Sequence, residues 1–312
     1  MCWPSQQARR IKVDNPVPTH DETVIRSERV QANGLDFHVR VCGEGDHLVL
    51  CLHGFPEVAY SWRHQMPRLA SLGYRVWAPD LRGYGLTDKP TGLKNYAFET
   101  LMEDVAGLID ASGAREVTLI AHDWGGIIAW HFAALRIREL SGLVILNAPA
   151  PRPDDKPPSI FSRQFWRYSY VLFFQLPWLP EWVFRRNDYS AIEGIFRGSM
   201  SLAPEQFTDE VIAVYKEAAS RPGALTAMIN YYRALVRGGG MRRLKVQGFP
   251  NIDTPTLILW GKGDPVLPTE MIADADSWVS DLTVRLVSNA GHWVQQEAPE
   301  VVNTHLQEWL GG

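Results

Sequence analysis

The chain has 312 residues, 46% of them hydrophobic, and a formal net charge of −4. That is enough apolar material for a sizeable core, and it fits one large α/β domain with room for an insertion. The mildly acidic balance, without long blocks of like charge, gives no footing for nucleic acid or an anionic membrane surface, and Cys2, Cys42 and Cys51 are too few and too scattered for a disulfide framework or a zinc array.

The start, "MCWPSQQARR", carries charge and proline where a signal peptide needs an apolar core, and residues 1–24 read as an irregular tail. "ERVQANGLDFHVRV" predicts two short strands around Asn33-Gly34, both of which tolerate positive φ. "HLVLCLH" (47–53) is a continuous apolar run of strand length, as expected for a strand buried on both faces. Strands and helices then alternate. "YRVWAPD" is a strand, "FETLMEDVAGLIDASG" a helix that stops at Gly113, "EVTLIA" a strand, "GGIIAWHFAAL" a helix and "LSGLVILNAP" a strand. After a long interval "TPTLILWG" and "LTVRLVSNA" resume the strand pattern, and a last helix runs through "PEVVNTHLQEWL". Such alternation means a mostly parallel sheet with helices on both faces, the early hairpin adding an antiparallel edge.

Residues 149–244 behave differently. Pro149, Pro151, Pro153, Pro157 and Pro158 mark the entrance and Gly238 to Gly240 the exit, with aromatic-rich helical segments and no convincing strand between. This predicts a helical cap over one end of the sheet, inserted between a core of 1–148 and 245–312. The most hydrophobic window, Tyr170 to Phe184, is broken by Gln175, Pro177 and Pro180 and is too short to span a bilayer, so no membrane anchor is expected; the few scattered cysteines lead to the expectation of a reducing, cytoplasmic location.

In "VTLIAHDWGGIIAW" an acid, Asp123, sits where a strand meets a helix. Ala121-His122-Asp123-Trp124-Gly125 fits small-x-nucleophile-x-small, the elbow that holds its central residue in a strained conformation and tolerates only small neighbours. An aspartate there could equally just cap the helix. Two further segments favour the elbow. "NAGHWVQQE" puts His292 after the last core strand and "LILWGKGDP" puts Asp264 after the preceding one, in the order nucleophile, acid, base. "HGFPE", after a buried strand, suits a tight turn that aims backbone N–H groups into a site. The N–H groups of Phe55 and Trp124 would form an oxyanion hole, and the Phe55-Pro56 bond is expected to be cis.

With these segments the sequence resembles the α/β-hydrolase family and, within it, the soluble epoxide hydrolases. "HGFPEVAYSWRHQ", "DLRGYGLTDKP", "AHDWGG", "LNAP", "NYYR" and "AGHWVQQE" carry the likeness, and "SYVLFFQLPWLPE" is similar to the members related to vertebrate types three and four. The resemblance implies an α/β-hydrolase fold: a mostly parallel eight-stranded sheet flanked by helices, with an inserted helical cap. It implies two cap tyrosines that hold the epoxide oxygen, matching Tyr170 and Tyr232, with Tyr168 and Tyr231 as their neighbouring rivals. Phe55, Pro56, Trp124, Phe174, Tyr231 and Trp293 are expected against substrate.

The residue types suit the chemistry. An epoxide has no carbonyl, so the nucleophile must displace oxygen at saturated carbon, and a carboxylate is ionised at neutral pH without help. Asp123 would form an alkyl ester, a phenol would protonate the alkoxide, and water activated by His292, itself oriented by Asp264, would free a vicinal diol. The expected partners are a small lipophilic epoxide and water, with no cofactor or metal, in a monomer or homodimer with a detoxifying role. Phe55, Trp62, Trp124, Phe165, Trp166, Phe173, Phe174 and Trp178 suggest an apolar tunnel. His53 and His122 read as structural, and Arg82 and Asp88 as fixing a loop. A haloalkane or haloacid dehalogenase with the same Asp-His-Asp set, and a non-catalytic ligand-binding protein on the same fold, are the rival readings.

Overall fold

A computed structural model describes residues 23–149 and 169–311. Most of the irregular tail, and Tyr168, Phe165 and Trp166, lie outside the described residues. The hairpin comes first: β1 (Arg26–Ala32) and β2 (Leu35–Cys42) are antiparallel, turned by Asn33 and Gly34 at φ 45° and 73°. β3 (His47–Leu52) leads to helix α1 (Gln65–Ser71), and β4 (Arg75–Pro79) leads to α2 (Phe98–Ser112). α2 ends on Gly113 in the left-handed conformation, φ 64°. β5 (Glu116–His122) runs straight into α3 (Asp123–Ala134), which returns to β6 (Gly142–Leu146).

Beyond β6 the described residues hold helices α4 (Ser169–Phe173), α5 (Leu179–Arg197), α6 (Asp209–Ser220), α7 (Ala224–Val236) and α8 (Gly240–Gln247), with no strand among them. α5 is broken at Arg186–Tyr189, where Asn187, Asp188 and Tyr189 all take positive φ. β7 (Thr256–Gly261), β8 (Leu282–Val287), α9 (Val294–Glu297) and α10 (Pro299–Leu310) complete the chain.

The eight strands form one sheet in the order β1-β2-β4-β3-β5-β6-β7-β8. β2 pairs antiparallel with β4, and all pairs from β4 to β8 are parallel. Because side chains alternate along a strand, Leu48, Leu50 and Leu52 enter the core on one face while Val49 and Cys51 enter the core on the other. Both faces are therefore apolar, which is why the central strands read as unbroken hydrophobic runs. Trp62 belongs to the second core, with Ala59 and Met66, and the helical insertion packs into the first, so Trp62 takes no part in the expected tunnel.

The strand order places the site. From β3 the chain moves outward to β4 and then back across to β5, so a crevice opens between the carboxyl ends of β3 and β5. The turn after β3 carries Phe55, and the turn after β5 carries Asp123. Among the described residues no helix is long and apolar enough to cross a membrane.

Candidate active site

Asp123 has φ 48°, a left-handed backbone that a non-glycine residue adopts at a cost of about 1–2 kcal/mol. The surrounding small residues explain how it fits. A Cβ on Gly54 would lie 2.4 Å from Asp123 Cβ, one on Gly125 would lie 2.4 Å from the Leu52 carbonyl oxygen, and one on Gly126 would lie 2.3 Å from Ala148 Cβ. The elbow therefore has no room for side chains where the sequence supplies glycine. It lifts the carboxylate into the crevice, and the Phe55 N–H donates to Asp123 Oδ1 at 2.7 Å. The Phe55-Pro56 bond is cis. Trp124 occupies the first turn of α3, where helix N–H groups lack partners within the helix.

His292 and Asp264 converge on this carboxylate. His292 Nδ1 donates to Asp264 Oδ2 at 2.7 Å, and His292 Nε2 lies 3.8 Å from Asp123 Oδ2. Asp264 is fixed in turn: its Oδ1 accepts the Val266 and Leu267 N–H groups, both at 2.9 Å, and its Oδ2 accepts Asn147 Nδ2 at 2.9 Å. Burial pulls the imidazole of His292 down, but the charge and hydrogen bond of Asp264, with the charges of Asp123 and Glu57, outweigh it and lift His292 to about 9. Burial pushes Asp264 up, yet His292 and the donors around it hold it below the ordinary carboxylate value.

Aromatic rings wall the space over Asp123. The Tyr232 ring stands edge-on to Trp124 at 4.9 Å, to Phe55 at 5.4 Å and to Phe174 at 4.8 Å between centroids. Tyr170 faces Tyr232 at 5.8 Å. Burial, with Tyr170 and Asp123 nearby, raises the Tyr232 phenol well above its ordinary value, so it stays protonated at neutral pH. The adjacent Tyr231 is placed otherwise. It stands behind Trp124 and gives its hydroxyl to the Arg82 carbonyl at 2.9 Å, which ties that hydroxyl to the core instead of freeing it for substrate. Trp293 is fully buried against His292 at 4.6 Å and Phe196 at 4.6 Å. Trp178 departs from the tunnel expectation altogether, being 70% exposed. Among the described residues no group of His, Cys, Asp or Glu could hold a metal ion.

An elbow acid, a histidine-carboxylate pair and the strand order that unites them mark a known architecture. The sequence matches the alpha/beta hydrolase fold family over residues 47–192 and 205–299. The chain belongs to that family. It is 38% identical to an AB hydrolase superfamily protein of Bacillus subtilis, over 92% of this chain and 98% of that protein. It is 36% identical to epoxide hydrolase 4 of Homo sapiens, over 98% of this chain and 85% of the human protein. The solved structure of an epoxide hydrolase from an endophytic Streptomyces superposes with a TM-score of 0.82 at 27% identity, over 92% of this chain and 96% of that one.

Behind the elbow this α/β hydrolase carries polar groups whose part the sequence motifs contain but do not explain. Glu57, the last residue of "HGFPE", is fully buried; its Oε2 accepts the Gly54 N–H at 2.9 Å and faces His122 Nδ1 at 2.7 Å, and its Oε1 accepts Gln295 and Gln296. Burial pushes this carboxyl up, but His122 and the Gly54 N–H bring it net below its ordinary value. His122 Nε2 meets the His292 carbonyl at 2.8 Å, so the turn after β3 and the loop after β8 share one buried bridge. His53 is equally committed: Nε2 accepts the Leu81 N–H and Nδ1 donates to the Gly54 carbonyl, which fixes the neutral tautomer that burial favours. Arg82 lies in a buried pair with Asp104, and Asp88 Oδ2 accepts the Asp36 N–H, so both hold the loop after β4.

Proposed function

We propose that this α/β hydrolase opens small lipophilic epoxides to vicinal diols in two steps, through an ester on Asp123. The observation that carries the reading is a carboxylate at the elbow, where this architecture commonly holds serine, with the Tyr232 phenol close enough to feel its charge and Tyr170 beside Tyr232. The named epoxide hydrolases among its relatives support the same reaction.

Asp123 Oδ1 is engaged by the Phe55 N–H, which leaves Oδ2 to attack carbon. The C–O bond of the ring breaks as the new C–O bond forms, and Tyr170 and Tyr232 hydrogen-bond the departing oxygen and protonate it. Oδ1 becomes the carbonyl oxygen of the ester, already seated on the N–H that will stabilise a tetrahedral oxyanion, with the Trp124 N–H as the second donor. Esterification also removes the charge of Asp123, one of the groups that holds His292 up near 9. The imidazole then releases its proton to the phenolate left by that transfer, through water, which restores the phenol and frees His292 to take a proton from water. Hydroxide adds to the ester carbon, the diol departs, and the carboxylate and imidazolium are restored. The helical insertion serves as the lid that supplies the phenols and keeps bulk water out.

The test is intact-protein mass after mixing with a reactive epoxide. His292→Gln should gain the mass of the epoxide and keep it, whereas Asp123→Ala should gain nothing and make no diol. An unmodified His292→Gln protein sinks the two-step scheme, and halide release from haloalkanes without epoxide opening assigns the site to dehalogenation.

A further inference from the structure

The outer surface of the helical insertion is apolar next to the site. Leu172 is 53% exposed, Leu176 43%, Trp178 70% and Trp182 49%, all within residues 172–182. No other tryptophan among the described residues is exposed. The segment is two-sided: Tyr170 and Phe174 turn inward to Tyr232, while Leu172, in α4, and Leu176, in the turn that follows it, are exposed. Trp178 takes a left-handed backbone, φ 52°, and presents its ring to solvent.

The rim of this patch is cationic. Arg185 and Arg186 are exposed, and the Arg186 guanidinium lies 4.6 Å over the Trp182 ring. The acid in the same run, Glu181, is turned inward onto Arg233 and nearly buried, and the next one, Asp188, lies 3.6 Å from Lys216. A net charge of −4 for the chain conceals this local arrangement. Tryptophan rings with a polar edge, leucines and arginine heads are the residue set that settles at the headgroup level of a bilayer.

We propose that residues 172–186 form a docking surface for a bilayer containing anionic lipid, lying on the membrane without crossing it. The rings and leucines enter the interface and the two arginines meet lipid phosphates and carboxylates. Docking sets the lid against the phase in which apolar epoxides concentrate. The surface is independent of the chemistry at Asp123, so docking stands or falls separately from the epoxide reading.

The experiment is co-sedimentation of the whole chain with phosphatidylcholine vesicles and with vesicles that also contain phosphatidylserine. Binding should favour the anionic vesicles and fall with salt. Trp178→Ala with Trp182→Ala should weaken it about tenfold or more on both vesicle types. Arg185→Glu with Arg186→Glu should remove most of the preference for phosphatidylserine, about fivefold per arginine. Both double variants should retain the native melting temperature and the native turnover of a water-soluble epoxide. Docking is overturned by a native chain that stays in the supernatant with both vesicles, or by binding that neither double variant changes. It is also overturned by a native dimer that the tryptophan variant dissociates, which would seat a second copy on the patch.

Discussion

His292 is tuned by two carboxylates that act on opposite sides of its ring. Asp264 holds Nδ1 at 2.7 Å and Asp123 stands 3.8 Å from Nε2. Both favour the imidazolium, against a burial that opposes it. Replacing Asp123 with asparagine keeps the shape and removes one charge, so His292 should titrate at lower pH than about 9, as followed by its imidazole resonances. An unchanged titration would mean that Asp264 and Glu57 set the ring without Asp123 and that esterification does not free it. The stability consequence has a definite sign. A folded value of about 9 against an ordinary 6.5 stabilises the native state fully below about pH 6.5, and that stabilisation is lost as pH rises through 9. The His292 share of any fall in melting temperature over that window should shrink in Asp123→Asn. Asp123, Asp264 and His292 are legible in the sequence because each follows a strand that announces itself. Glu57 and Asn147 stand inside motifs just as visible, but their partners come from other strand ends, a relation that a linear pattern does not contain.

The elements were legible where their period was strong. The hairpin, the helix ending at Gly113 and the parallel strands fall where alternation and turn residues put them, because both faces of the sheet are covered and each run must satisfy its burial locally. The break in α5 at Arg186–Tyr189 carries no breaker residue other than Asn187 and Asp188, and no period reveals it. The outward turn of Trp178 was equally hidden, since an aromatic reads the same whether it packs or not. Glycine has a more specific meaning at the end of β3. A methyl at Gly54 would meet Asp123 Cβ at 2.4 Å and Oδ1 at 2.5 Å, and the elbow is anchored from behind by the Gly125 N–H on the His53 carbonyl at 3.1 Å. Neither turn can yield without moving a strand end. Gly54→Ala should therefore lower stability by about 1–3 kcal/mol, read by urea denaturation, and displace the carboxylate from the Phe55 N–H. Ester formation should slow by at least about a hundredfold, since a misplacement of order 1 Å has that effect. Native single-turnover kinetics in the variant would show that the contact relaxes without consequence.

At the scale of the whole molecule, the inserted helices and the sheet share the loop that carries His292. The His292 N–H donates to the Met200 carbonyl at 2.9 Å, so the loop after β8 is tied directly to the stretch between α5 and α6. Glu297 completes the joint: its Oε2 accepts the N–H groups of Leu202 at 2.7 Å and Gly291 at 2.9 Å, and its Oε1 accepts that of Trp293 at 3.0 Å. One buried side chain thus pins the residues on both sides of His292 and a residue of the insertion. Gln296 adds a second tie, accepting the Tyr215 hydroxyl at 2.7 Å. If the joint positions the imidazole, its loss should act on the step that uses His292 as a base and spare the step that does not. Glu297→Ala leaves buried N–H groups without an acceptor and should destabilise the fold by about 1–3 kcal/mol. On the two-step mechanism it should also slow ester hydrolysis more than ester formation, so that covalent protein accumulates at steady state and is seen by mass. Glu297→Gln keeps one carbonyl acceptor and should recover part of the hydrolysis rate. A variant that is merely less stable, with both steps slowed equally and no ester retained, would make Glu297 a fastener of the insertion with no hold on the histidine.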